Sequence, residues 1–230
     1  MRKTVLVAAA TCTIFIAGCK EQPAYELVYP VQASKQQIHR IDGVRFISTT
    51  DTPELSLIIL NNPVPSGAFA DIAFSITNSG GTSLKLTRMP QGRIKSGPLP
   101  VLGKESYEKR ISLGERYLRP EGYEKLMPAM QKFGCAAQKS ENTTSPFDLT
   151  ASQKQVWKHY KHYQTDGTLD SGDYFEGFTL APGETKSAFV RIDLPKLETG
   201  SERETMLFTL CPEEHSCKKV RLVIQPLNNK

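Results

Sequence analysis

Ala70-Asp-Ile-Ala-Phe-Ser-Ile-Thr-Asn-Ser-Gly-Gly81 alternates apolar and polar residues and then breaks into turn chemistry. Along an extended chain Ile72, Phe74 and Ile76 point one way, while Asp71, Ala73, Ser75 and Thr77 point the other. That period of two predicts an antiparallel strand over residues 70–77, buried on one face. Asn78-Ser79-Gly80-Gly81 then predicts a tight turn leading into residues 83–87, so that the two runs form a hairpin.

The same pattern extends outward in both directions. Residues 25–31, 44–48 and 55–60 are rich in β-branched, aromatic and aliphatic side chains and are separated by Asp-Gly and Thr-Asp-Thr-Pro turns. Beyond the middle of the chain, residues 175–180 run into Ala181-Pro182-Gly183-Glu184. Residues 188–194 then alternate Val190, Ile192 and Leu194 with Arg191 and Asp193. Residues 206–210 and 219–225 complete the set. Short antiparallel strands at both ends of one chain predict a mainly-β fold, a β-sandwich, because each sheet must bury one face against another. The pairing of Ile-Thr-Asn-Ser-Gly-Gly at 76–81 with Leu-Ala-Pro-Gly-Glu at 180–184 resembles bacterial immunoglobulin-like modules. An immunoglobulin-like antiparallel sandwich is what that resemblance implies. The Cys, Trp and Cys framework of antibody domains is absent, since Trp157 lies outside the strands.

Residues 90–172 read as a helical and loop insertion into the sandwich domain of residues 25–230, packed on one of its edges. Residues 89–102 are rich in Pro and Gly and predict a linker. Tyr123, Leu126, Met127, Met130 and Phe133 recur at helical spacing over residues 120–134, interrupted by Pro128. A polar loop over 138–144 precedes a second helix, which begins at Thr150 and runs to about Gln164. On it Val156, Trp157, Tyr160 and Tyr163 share one face; Lys154, Lys158 and Lys161 share the other, with His162 nearby. Two uses of this helix stand side by side. Its aromatic face docks on the sandwich beneath solvated lysines, or its basic face meets lipid headgroups or an acidic partner. Trp157, Lys158, Tyr160, Lys161 and Tyr163 are the candidate partner-binding residues.

At the N-terminus Arg2 and Lys3 precede a nearly uncharged run that closes in Ile16-Ala17-Gly18-Cys19. Basic, apolar and small-residue zones in that order predict a secretory leader over residues 1–18. The stretch resembles a bacterial lipobox, which implies cleavage before Cys19 and acylation of the new N-terminal Cys19 with three chains. Residues 19–24 then form a lipidated tether. Two or more acyl chains hold a protein on a membrane stably. By the same resemblance Lys20, where an Asp would favour inner-membrane retention, implies the outer membrane with the domain in the periplasm.

Removing residues 1–18 of 230 leaves 212, enough for one large domain or two small ones. With Arg2 and Lys3 gone, the formal net charge falls from +5 to +3, too small a balance to indicate a nucleic-acid partner. Of the remaining cysteines, Cys211 and Cys217 flank a short loop between two alternating runs, which predicts a disulfide across a hairpin in an oxidising compartment. Cys135 is then either a small buried residue or an alternative partner for one of them.

No enzyme signature is present: neither Gly-x-Ser-x-Gly, His-Glu-x-x-His, nor a phosphate-binding Gly loop. His159 and His162 are too few ligands for a metal, and the acids of residues 166–176 do not follow EF-hand spacing. No cofactor or metal is expected. The sequence therefore points to a non-enzymatic, membrane-anchored module that binds an envelope protein. An immunity lipoprotein against a periplasm-delivered toxin, or an envelope hydrolase without a recognisable motif, are the alternatives.

Overall fold

A computed structural model describes residues 25–117, 142–143, 145, 148–197 and 203–227. The leader, Cys19, Cys135 and the helix expected over 120–134 lie outside those residues. Among the described residues two six-stranded sheets face each other. The first contains β1 (Tyr25–Pro30), β5 (Val64–Pro65), β8 (Gln91–Ile94), β9 (Gly97–Leu99), β13 (Glu204–Leu210) and β14 (Lys218–Leu227), in the order β5-β1-β14-β13-β8-β9. The second contains β2 (Gln36–Ile41), β3 (Val44–Thr49), β4 (Glu54–Ile59), β6 (Phe69–Thr77), β10 (Asn142–Thr143) and β12 (Thr185–Asp193), in the order β10-β2-β3-β4-β6-β12. Pairing is antiparallel throughout except between β10 and β2. A small ribbon joins β7 (Leu84–Leu86) to β11 (Phe178–Leu180). The fold is thus mainly β, a sandwich-like arrangement of antiparallel sheets with a helical insertion.

Between the sheets lies the core that the alternation of residues 70–77 announces. Ile72, Phe74 and Ile76 are fully buried there, and the Phe74 ring meets Phe175 at 5.5 Å and Phe208 at 6.0 Å. Each such side chain contributes roughly 1.5–3 kcal/mol by leaving water. Cys211 and Cys217 form a disulfide that closes the loop between β13 and β14, as their spacing predicts.

The other face of β6 departs from expectation. Asp71, Ala73 and Ser75 are also fully buried, because helix α2 (Ala151–Asp166) lies across the outside of β4, β6 and β12. The helical layer covers the broad outer face of the second sheet instead of an edge. Ile41, Phe46, Ile58, Ala73 and Phe189 form a second core against it, with Tyr107 from helix α1 (Lys104–Ser112) and Val156, Trp157 and Tyr163 from α2.

Two local expectations also change. Residues 70–77 and 83–87 are not a hairpin: β6 pairs with β4 and β12, and β7 pairs with β11. Asn78 decides this. Its buried side chain donates to the carbonyls of Thr82 and Leu180 and accepts from Gly80 N–H, so the Asn-Ser-Gly-Gly turn carries the chain across to the ribbon. Its backbone bonds Gly183 and Glu184, so the two motifs at 76–81 and 180–184 meet in space. Residues 89–102, read as a linker, hold β8 and β9. Of the two inward positions of β8, Gly92 and Ile94, the first is a glycine whose added Cβ would stand 3.2 Å from Ile192, and a glycine there erases the alternation that marks a strand.

Candidate functional site

The period of α2 and its caps determine which groups it offers. Thr150 accepts from Gln153 N–H and Gln153 reaches back to Thr150 N–H, a reciprocal capping box. Gly167 closes the helix at φ 70°, donating to the Tyr163 carbonyl at 2.8 Å and accepting from Tyr117 N–H at 2.8 Å. Ser152, Gln153, Val156, Trp157, His159 and Tyr163 face inward, and Lys154, Lys158, Lys161 and His162 face outward.

Beneath the C-terminal half of the helix sits a buried charged centre. Asp71 on β6 and Arg191 on β12 are direct cross-strand partners, and both side chains are wholly excluded from solvent. Arg191 donates from Nε to Asp71 Oδ1 at 2.7 Å and from Nη2 to Asp71 Oδ2 at 2.9 Å, a bidentate pair. Its third arm reaches Glu115 Oε1 at 2.8 Å. The Tyr163 hydroxyl donates to Asp71 Oδ2 at 2.5 Å, and Asn61 Oδ1 accepts from Asp71 N–H at 2.8 Å. The guanidinium lies 3.5 Å from the centroid of the Phe69 ring and 4.9 Å from that of Tyr107. Around it, Tyr174 accepts from Arg191 N–H and donates to the Leu102 carbonyl, and Tyr107 donates to the Leu169 carbonyl at 2.9 Å.

Electrostatics hold Arg191, Tyr163 and Tyr174 each in one protonation state. Burial disfavours the charge on Arg191, but the hydrogen bonds and charge of Asp71, helped by Glu115, outweigh it and hold the guanidinium above its ordinary range. Burial, then the neighbouring Asp71, drive the Tyr163 phenol far above its usual value, and burial pushes Tyr174 up to about 12. Tyr163 is therefore a permanent donor. The centre ties together β6, β12, α2 and the segment after α1, and so clamps the helical layer to the sheet.

The five candidate partner-binding residues divide. Tyr163 is consumed by Asp71 on the inner side. Trp157 is largely buried and stacks on the half-buried Tyr160 with centroids 5.3 Å apart, and Lys161 Nζ sits 5.6 Å above the indole. Lys158 and Lys161 are exposed. His159 and His162 take separate surroundings: the first lies 2.9 Å from Ser187 Oγ, the second pairs with Asp166 at 2.9 Å. Among the described residues no group of three or more His, Cys, Asp or Glu is placed to hold a metal, and no helix is long and apolar enough to cross a membrane.

Asp71, Arg191, Glu115, Tyr107 and Tyr174 escaped the sequence reading. One signal was available. Ala73 and Phe189 share the outer faces of β6 and β12 with the two charges, and an aromatic on a face otherwise read as solvated marks that face as covered. Comparison of the chain with protein-family models, with curated proteins and with solved structures finds no match.

Proposed function

We propose that this chain is a lipid-anchored outer-membrane lipoprotein whose domain works in the periplasm as a non-enzymatic protein-binding module. Ile16-Ala17-Gly18-Cys19 supports the address. The observation that carries the binding role is the outward side of α2: Lys154, Lys158 and Lys161 stand exposed beside the half-buried Tyr160, which stacks on the inward-facing Trp157, on a helix clamped from below by Asp71 and Arg191. A rigid ridge combining aromatic area with cations loses little entropy on docking and selects an acidic surface. Tyr163 then serves by holding the helix, and Lys158, Lys161 and Tyr160 make the contact.

Affinity capture with the mature chain extracted from membranes tests this, with a K154E/K158E/K161E variant as comparison. One stoichiometric envelope protein should be captured, and the reversal of three charges should weaken its binding by about tenfold or more without lowering the melting temperature. Equal capture by the variant would remove α2 as the contact. Co-purification of a glycan or small molecule in place of any protein would overturn the binding-module reading.

A further inference from the structure

The first sheet has an outer face of its own, on the side of the molecule away from α2. Met206, Phe208 and Leu210 of β13 and Val220, Leu222 and Ile224 of β14 point into the core, so Thr205, Leu207, Thr209, Lys219 and Arg221 point out, as does Val223, which is itself buried. In register with them, Arg93 and Arg221 flank Leu207 on either side, and Lys219 follows on β14. Arg93, Lys219 and Arg221 are exposed and take part in none of the ion pairs formed among the described residues. No outward position of β1, β8, β13 or β14 carries an Asp or Glu. Strand spacing puts the two guanidinium-bearing Cα atoms only about 10 Å apart, a cluster of like charge with no internal counter-ion.

Chain connectivity says what this face meets. Five residues separate Cys19 from Tyr25, a reach of at most about 20 Å. Tyr25 opens β1 opposite Leu227, and β1 runs along β14 to Pro30 opposite Leu222, so Arg221 and Lys219 follow on the same sheet about 20 Å or more along β14 from the tether. We propose that the outer face of the first sheet lies on the anionic phospholipid surface of the membrane that holds the anchor, with Arg93, Lys219 and Arg221 facing lipid phosphates. The inference rests on acylation of Cys19. It orients the whole molecule: the sandwich lies flat, and the α2 ridge on its opposite side is turned toward the periplasm. Each Lys or Arg near an anionic leaflet adds attraction that salt screens within a Debye length.

Lysine footprinting tests the orientation without altering the protein. The lipidated chain is reconstituted into phosphatidylcholine vesicles, with or without phosphatidylglycerol, treated with a water-soluble amine acylating reagent, and read by mass spectrometry. Lys219 labelling should fall by about fivefold in the phosphatidylglycerol vesicles, while Lys154 and Lys158 stay reactive; high salt and an R93Q/R221Q variant should each restore it. Equal Lys219 labelling in both vesicles would overturn the proposal. So would protection that appears only when envelope proteins are added, which would make an acidic protein the occupant. Detergent-phase partitioning reads the anchor separately: a chain that stays in the aqueous phase refutes the acylation on which the orientation depends, whereas a detergent-phase chain with reactive Lys219 refutes the orientation alone.

Discussion

Asp71 and Arg191 show what one cross-strand pair does once a helix covers it. Two buried charges cost several kcal/mol each in lost hydration, so the net contribution of the intact pair is far smaller than its gross attraction. Removing one partner strands the other. D71A or R191A should each lower the unfolding free energy by about 3–5 kcal/mol, whereas the apolar double replacement D71L/R191M should cost far less than the sum; denaturant midpoints of the four proteins check this. A second residue-scale effect is titration. Burial lowers the pKa of His159, against Asp173, which raises it, and with Lys158 and His162, which lower it further; burial also lowers that of His39, beside Ser48 and Gln153. The neutral rings are favoured in the folded state, so the unfolded chain binds more protons. The associated stability is complete above about pH 6.5 and is lost as the pH falls from there through the lowered folded values. Melting temperature should therefore drop on acidification below that point, and less steeply in H159Q; parallel profiles for the two proteins would deny His159 the role.

At the scale of elements, α2 depends on its two ends. Thr150 caps it, and its hydroxyl also donates to Glu54 Oε1 at 2.8 Å, tying the helix start to β4. T150A should cost about 0.5–2 kcal/mol. Gly167 stands at positive φ with a virtual Cβ 2.6 Å from the Tyr117 carbonyl oxygen, so G167A should cost more than the roughly 1 kcal/mol of conformational strain alone. Thermal unfolding of both variants, with the helical circular-dichroism signal as a check, separates cap loss from global unfolding. The same scale shows what was legible. The 3.6-residue period and Thr150 before it mark this helix in the sequence within about two residues of its ends. β8 is illegible because Gly92 replaces the apolar side chain that would reveal it. β2 is illegible because Gln36 and His39 are buried polar groups, the first held by the backbone of Arg221 far along the chain and the second by Ser48 on the neighbouring β3.

At the scale of the molecule, the order of layers is first sheet, second sheet, helical cover. The lipoprotein proposal adds a membrane beneath the first sheet and a partner above the cover. Cys19→Ser should leave the precursor unacylated and move the protein from the detergent phase to the aqueous phase in partitioning; unchanged partitioning would contradict acylation at Cys19. What the sequence determined by itself was set by neighbours close along the chain: the alternation of residues 70–77, the helix that starts at Thr150, and the Cys211–Cys217 bridge across a short loop. Only the tertiary structure decided that β6 is buried on both faces, that Asn78 sends the chain to a separate ribbon, and that Asp71 meets Arg191 and Tyr163. Those contacts join residues about a hundred positions apart. Local periodicity reports which way a side chain points but not what arrives to cover it. Strand register and helix docking are chosen by the packing of the whole chain.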